Sequence, residues 1–326
     1  MDPGDPGGRD PARVIDAAIV GLGRWGRSLV ESVQGKSEKL RFVLGIDPDL
    51  ERARDFAAKE RLRLAPNFDE ALSVPAVVLA TPHSLHLPQV LAAAGAGRQI
   101  FCEKPLALTR ADAEKMVRAC EAAGVVLGVG QNRRWWPAMR ELRRIVEAGE
   151  LGTLLHIEGH NSNENSNAVT GGWRTLESES PGGGMTGAGL HALDAMVGIA
   201  GPVKRIKAQL IERKPSPAPH DTAAALLEFA SGASGLLATV RATPFYWRVH
   251  AFGTKGNAEV LGETELVLRM SGRPPERRQL APVDSLHAEL EAFADAAEGR
   301  APFPVTPEQM LDTVTAFESV VAALRG

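Results

Sequence analysis

Residues 15–26 read "IDAAIVGLGRWG": an apolar run that ends on Gly21-Leu22-Gly23 and, after Arg24 and Trp25, reaches Gly26. So short and continuous an apolar run fits a strand buried on both faces. Glycine lets the chain turn sharply at its end, and the "GRSLVESVQ" that follows has the spacing of an amphipathic helix. The alternation continues downstream. "FVLGID", "AVVLATP", "QIFCEKP" and "VVLGVG" are short and apolar, and between them "DLERARDFAAKE", "LHLPQVLAAAGAG" and "TRADAEKMVRACEAAG" carry helical spacing. Strands and helices in turn predict βαβ units and a doubly wound parallel sheet.

Beyond about residue 131 the pattern changes. "PAMRELRRIVEAGELG" predicts a helix with a glycine stop, followed by a polar stretch, "HNSNENSNAVTGG", and a glycine-rich turn, "PGGGMTGAG". "VKRIKAQLIER", "TAAALLEFA", "GLLATVRAT", "RVHAFGTKG" and "NAEVLGETELVLRM" predict a mostly antiparallel open sheet, closed by helices at "SLHAELEAFADAAEG" and "TPEQMLDTVTAFESVVAAL". The expected organisation is an α/β chain. Residues 1–12 form a Pro/Gly/Asp tail, 13–131 a parallel-sheet domain and 132–326 a second α/β domain, with "KPSPAPHD" as a loop.

The 326 residues suffice for about two domains, and a net charge of −3 argues against a nucleic-acid partner. No apolar run approaches the ~20 residues of a membrane span, and the first residues lack the features of a secretory signal. Two cysteines, Cys102 and Cys120, argue for a reducing compartment, so a cytoplasmic location is expected. No His, Cys, Asp or Glu cluster has metal-ligand spacing, so no metal is expected.

Gly21, Gly23 and Gly26 form G-x-G-x-x-G after a strand and before a helix, and Asp47 ends the next strand 21 residues on. That context fits a dinucleotide fingerprint: Gly21 makes the turn, Gly23 admits a pyrophosphate, and Gly26 lets helix pack on strand. The helix-opening amides of Arg24, Trp25 and Gly26 would face the phosphates. Asp47 can accept from both ribose hydroxyls and repels a 2′-phosphate, which favours NAD over NADP. Arg24, able to pair with phosphate, is the argument the other way. In such sheets ligands bind outside the carboxyl ends of the strands. Thr81, Pro82, His83 and His86 in "TPHSLH", and Glu103, Lys104 and Pro105 in "EKP", belong at that rim. A surface Glu–Lys ion pair is the competing reading of "EKP". Proline there fixes the backbone and can take the cis form, aiming Lys104.

The chain resembles the Gfo/Idh/MocA oxidoreductases through "GLGRWG", "TPHSLHLPQVLAAAGAGRQIFCEKPLALT", "QNRRWWPAMRELRRIVEAGELG", "GGGMTGAGLHALD" and "ELEAFADAAEGRAPFPVT". The resemblance implies a Rossmann domain followed by an open-sheet domain that builds dimers or tetramers, and reversible oxidation of a sugar, polyol or related alcohol with NAD(P). It makes Lys104 the active-site lysine and His191 the catalytic histidine, a residue type suited to proton transfer near neutrality. Arg133, Arg134, Trp135, Trp136, Trp173 and Arg174 are expected near the cleft mouth, and Asn161, Asn163 and Glu164 as wall residues. The sequence departs from the family at Gly187, four residues before His191, where an Asp is usual. Either a proton acceptor is lost or space is made for a different substrate, and an Asp restored there is expected to crowd the site. Two alternatives stay open: an enzyme that oxidises its substrate only transiently, to drive elimination or glycoside cleavage, and a cofactor-binding sensor without turnover.

Overall fold

The computed structural model describes residues 14–163, 172–211, 222–241 and 243–326. The expected tail, Glu164 and the "KPSPAPHD" loop lie outside the described residues. The first layer follows the alternation in order: β1 (Ile15–Val20), α1 (Arg24–Val33), β2 (Leu40–Ile46), α2 (Leu50–Glu60), β3 (Arg63–Ala65), β4 (Ala76–Leu79), α3 (His86–Gly95), β5 (Gln99–Glu103), α4 (Arg110–Ala123) and β6 (Leu127–Gly130). The six strands are parallel in the order β3-β2-β1-β4-β5-β6. Strand order reverses between β1 and β4, and the crevice beyond their carboxyl ends is where such a sheet takes a ligand. All four residues of β4 are buried, which is why that run shows no alternation. Caps set the helix limits: the Thr109 hydroxyl accepts from Asp112 N, and Gly124 closes α4 at φ +64°.

The second layer comprises α5 (Pro137–Glu147), β7 (Leu154–Ser162), α6 (Leu190–Ala200), β8 (Val203–Ile211), β9 (Thr222–Phe229), β10 (Ser234–Val240), β11 (Tyr246–Gly253), β12 (Gly256–Leu261), β13 (Glu265–Met270) and β14 (Glu276–Gln279). Eight strands run β14-β13-β12-β11-β7-β10-β9-β8, antiparallel throughout except for the parallel pair β10 and β7. The sequence reading had no strand at β7, which the structure puts in the middle of the sheet. Its "LLHIEGHNS" runs directly into the Asn-rich stretch, and that polar ending hid it.

The two last helices, α7 (Ser285–Ala297) and α8 (Pro307–Leu324), differ from expectation in what they cover. α7 returns to the first domain: Leu290, Phe293, Ala294 and Ala296 join its core, and the Phe293 ring lies 5.6 Å from Phe101. Burial of that order makes a Phe→Ala change cost about 3–5 kcal/mol. α8 spans both cores, with Met310 and Val314 in the first and Ala316, Phe317, Val320 and Val321 in the second. Residues 132–326 are therefore one stretch of chain serving two cores. Among the described residues no helix is long and apolar enough to cross a membrane.

Candidate active site

A cleft of about 290 Å³ opens beyond the ends of β1, β4 and β5, with the turn around Gly183–Ala188 forming its opposite wall. The cofactor half is built by the first glycine turn. Gly21 has φ +94°, and a Cβ there would meet Ala80 O at 2.7 Å. A Cβ on Gly26 would lie 1.9 Å from Gly21 O, so helix and strand approach as no other residue allows, whereas a Cβ on Gly23 would meet nothing within 4 Å. That is a cradle closed from behind and open in front. No side chain caps α1, which leaves its first amides for a phosphate. Residues present thus fit a dinucleotide.

Asp47 stands at the expected strand end, 2% exposed, but its carboxylate is already engaged. It accepts from Leu22 N at 2.8 Å and Asp49 N at 2.9 Å, and pairs with Arg52 at 3.1 Å. Arg52 was not singled out in the sequence; it lies on α2 one turn beyond the strand end, and only the fold brings it over Asp47.

The chemical half centres on Lys104. The Lys104–Pro105 peptide is cis, and Lys104 Nζ donates to Gly187 O at 3.0 Å. Burial pushes the Lys104 amine down to about 8; Glu103 opposes this, while Arg133, Arg174 and Arg24 add to it. Glu103 is pushed up to about 7 by burial. Its Oε2 accepts from Lys104 N at 3.2 Å. His191 is 7% exposed with Nδ1 buried and without a hydrogen-bond partner. Burial, then Lys104 and Arg133, hold its pKa well below the ordinary value, so the imidazole stays neutral. A π-helical turn, Met185–Gly189, leads into α6 and delivers His191; Asn161 Nδ2 fastens that turn to β7 by donating to Ala188 O at 2.8 Å.

Several expected residues meet here. Arg24, Trp25, Thr81, His83, Glu103, Lys104, Asn161, Asn163, Trp173, Arg174 and His191 all line the cleft. Burial drives His83 down to about 3, and its ring packs edge-on to Trp173 at 4.8 Å. Others do not reach it. His86, wholly buried, sits with Nδ1 2.9 Å from the Pro105 carbonyl and Nε2 3.3 Å from that of Thr81, donating to one of them in its neutral form and bracing the rim from behind. Pro82 precedes the 3-10 turn that carries His83 and is not part of the wall.

Arg134 and Trp135, expected near the cleft mouth as substrate contacts, require correction. Arg134 pairs with buried Asp194 at 2.7 and 2.8 Å and with Gln309 at 2.7 Å, and Trp135 packs against Phe303 in the first core. Arg133 takes the place in the cleft instead. These residues share a 3-10 turn, Asn132–Trp135, where neighbours point about 120° apart, so being near the mouth did not say which one faces it. The lining residues Thr186 and Arg241 carried no signal in the sequence. At Gly187 the backbone imposes nothing: its φ is not positive, and a Cβ there would meet no protein atom within 4 Å, opening instead toward the cleft that Gly187 lines. Among the described residues no group of three or more His, Cys, Asp or Glu could hold a metal.

Fold and cleft define a two-domain dinucleotide-binding oxidoreductase. Residues 15–131 match the family described as "Oxidoreductase family, NAD-binding Rossmann fold", and residues 139–259 match "GFO/IDH/MocA C-terminal domain". The chain belongs to the Gfo/Idh/MocA oxidoreductase family. It is 28% identical to the rhizopine catabolism protein MocA of Rhizobium meliloti, over 94% of each chain. It is 29% identical to the 2,7-anhydro-N-acetylneuraminate hydratase of Mediterraneibacter gnavus, over 58% of this chain and only 50% of that protein's length. The aldose-aldose oxidoreductase of Caulobacter crescentus, solved with glycerol, superposes with a TM-score of 0.84 at 25% identity, over 96% of this chain and 98% of that one.

Proposed function

We propose that this chain is an NAD(P)-dependent dehydrogenase that interconverts a hydroxyl and a carbonyl on a sugar, cyclitol or other cyclic alcohol. The observation that carries the reading is the convergence of Lys104 and neutral His191 in one cleft with the first glycine turn. A bound nicotinamide dinucleotide supplies the hydride acceptor or donor. The chain's own groups manage the proton. His191, neutral and relieved of other bonds at Nδ1, accepts the hydroxyl proton, and Lys104, titrating near 8, donates a hydrogen bond to the developing carbonyl oxygen. Asp47 supports NAD as the preferred form, and Arg52 is the cation that would serve a 2′-phosphate instead.

Incubation with NAD or NADP and a panel of polyols and sugars tests this through the absorbance of reduced nicotinamide. Net reduction with at least one alcohol is expected, and failure to bind either dinucleotide defeats the proposal. Product without net reduction would select the second reading, transient oxidation coupled to elimination, which the hydratase relative favours. We further propose that the open face of the second sheet joins a second copy of this chain. Leu226 and Leu236 are exposed there beside an ion-pair ladder linking Glu158, Arg248, Glu259 and Arg269 across four strands. Light scattering should give a dimer or tetramer.

A further inference from the structure

We propose that the substrate carries an oxyanion substituent, a carboxylate or a phosphate, and that Arg133 binds it. The inference rests on the cleft being the substrate site proposed above. Arg24, Lys104, Arg133, Arg174 and Arg241 line the cleft, and Glu103 is the one acid among its described lining residues. Burial pushes Glu103 up to about 7, and even when ionised it offsets only one of these five cations. A dinucleotide accounts for part of the excess. Arg24 opens α1 where the pyrophosphate belongs, and Arg174 lies near enough to Arg24 to be depressed by it. Arg24 thus belongs to the phosphate end, and Arg174 lies between it and the Glu103–Lys104 pair.

Arg133 stands nearer the other end: its charge acts on His191, which neither Arg24 nor Arg174 is seen to influence, as well as on Lys104, which all three reach. Its guanidinium is held among aromatic faces, 4.2 Å from the Trp136 ring, 4.8 Å from Trp247 and 5.4 Å from Phe245. These faces fix its position and attract its charge, but they accept no conventional hydrogen bond. Nε and Nη1 are buried without a partner. Glu263 attracts Arg133 through space, after burial the second influence on it. A buried cation with donors unspent is costly, and an anion arriving from solvent recovers that cost. The planar fork matches a carboxylate or phosphate better than a hydroxyl. Gly187 sharpens the selection, because the position beside Lys104 carries no negative charge to repel such a ligand. The substrate would thus present its reacting hydroxyl to Lys104 and His191 and its anionic group to Arg133.

The experiment is calorimetry on the full chain saturated with NADH, using matched sets: glucose, glucuronate and glucose 6-phosphate, and galactose with galacturonate. An anionic member should bind about tenfold or more tighter than its neutral parent at low salt, with the preference shrinking as salt rises. Whichever anion is preferred identifies carboxylate or phosphate as the group. Arg133→Gln should erase the preference and Arg133→Lys keep part of it, both with NADH affinity unchanged and a cooperative thermal melt. The inference is overturned if no set shows an anion preference, absence of binding included, or if Arg133→Gln retains the preference. Loss of NADH binding by the parent chain would instead count against the dehydrogenase reading, so the two failures separate.

Discussion

Two glycine-rich turns face each other across the cleft, and their glycines do different work. In the first, backbone geometry leaves no choice: Gly21 needs its positive φ, and Gly26 has Gly21 O at 1.9 Å from any added Cβ. In the second, Gly187 has neither constraint, and a Cβ there points into open space. One glycine is imposed by packing; the other is a chemical choice that leaves the Lys104 amine bonded to a backbone carbonyl rather than to a carboxylate. A glycine in a motif therefore identifies a turn, but only its surroundings tell whether the missing side chain is forbidden or merely absent.

The largest expected effect falls on the group that the second turn holds. Lys104→Ala should lower kcat by about 10²–10⁴ while NADH affinity, set by the first turn, stays within a few-fold. Equal loss of both would mean that the two halves of the cleft are not separable. Next comes Gly26→Ala, which forces helix and strand apart. It should cost about 1–3 kcal/mol in denaturant unfolding and weaken dinucleotide binding severely, and normal NADH binding would break the contrast between the turns.

A smaller effect concerns a buried carboxyl near Glu103. Glu289 on α7 is wholly buried, neither carboxylate oxygen has a partner, and burial, with Glu103 and Asp284, holds its pKa well above the ordinary value. Unfolded, it titrates near ~4.3. Its contribution to stability is fully present below that value and is lost as pH rises toward the folded pKa, at up to ~1.4 kcal/mol per pH unit. Glu289→Gln should flatten the decline, making the variant the more stable protein at mildly alkaline pH in melts across the neutral range. A steeper decline in the variant would count against a protonated Glu289.

The smallest effect on stability is expected at Gly187→Asp, within about 0.5 kcal/mol, because nothing has to move. Function should respond more. A carboxylate beside the amine, which burial pushes down to about 8, favours its charged form, so the pH profile of oxidation is expected to shift to the alkaline side. A collapsed melt would show that this turn is as constrained as the first.

Much of this was legible in the chain. The first domain could be read because parallel strands buried on both faces are continuous apolar runs, and because its turn must be glycine. Lys104 and His191 could be placed through the motifs that carry them. The second sheet was less visible: β7 ends in polar residues, and α7 carries an ordinary amphipathic pattern that names no partner. Arg133 and Arg134 are adjacent cations in one turn, and no local property distinguishes the one stacked on Trp136 from the one paired with Asp194.

By itself, then, the sequence determined the order of most elements and the glycine turn that suits a dinucleotide, since these follow from local pattern and backbone freedom, and its motifs singled out Lys104 and His191. The tertiary structure decided the rest: that Arg52 covers Asp47, that α7 packs on Phe101, that Gly187 has room beside it, and that Arg133 rather than Arg134 faces the cleft. The physical reason is common to all four. Each is set by the direction of a side chain toward a partner on another element, or by the space around it, and that is fixed only when the elements pack.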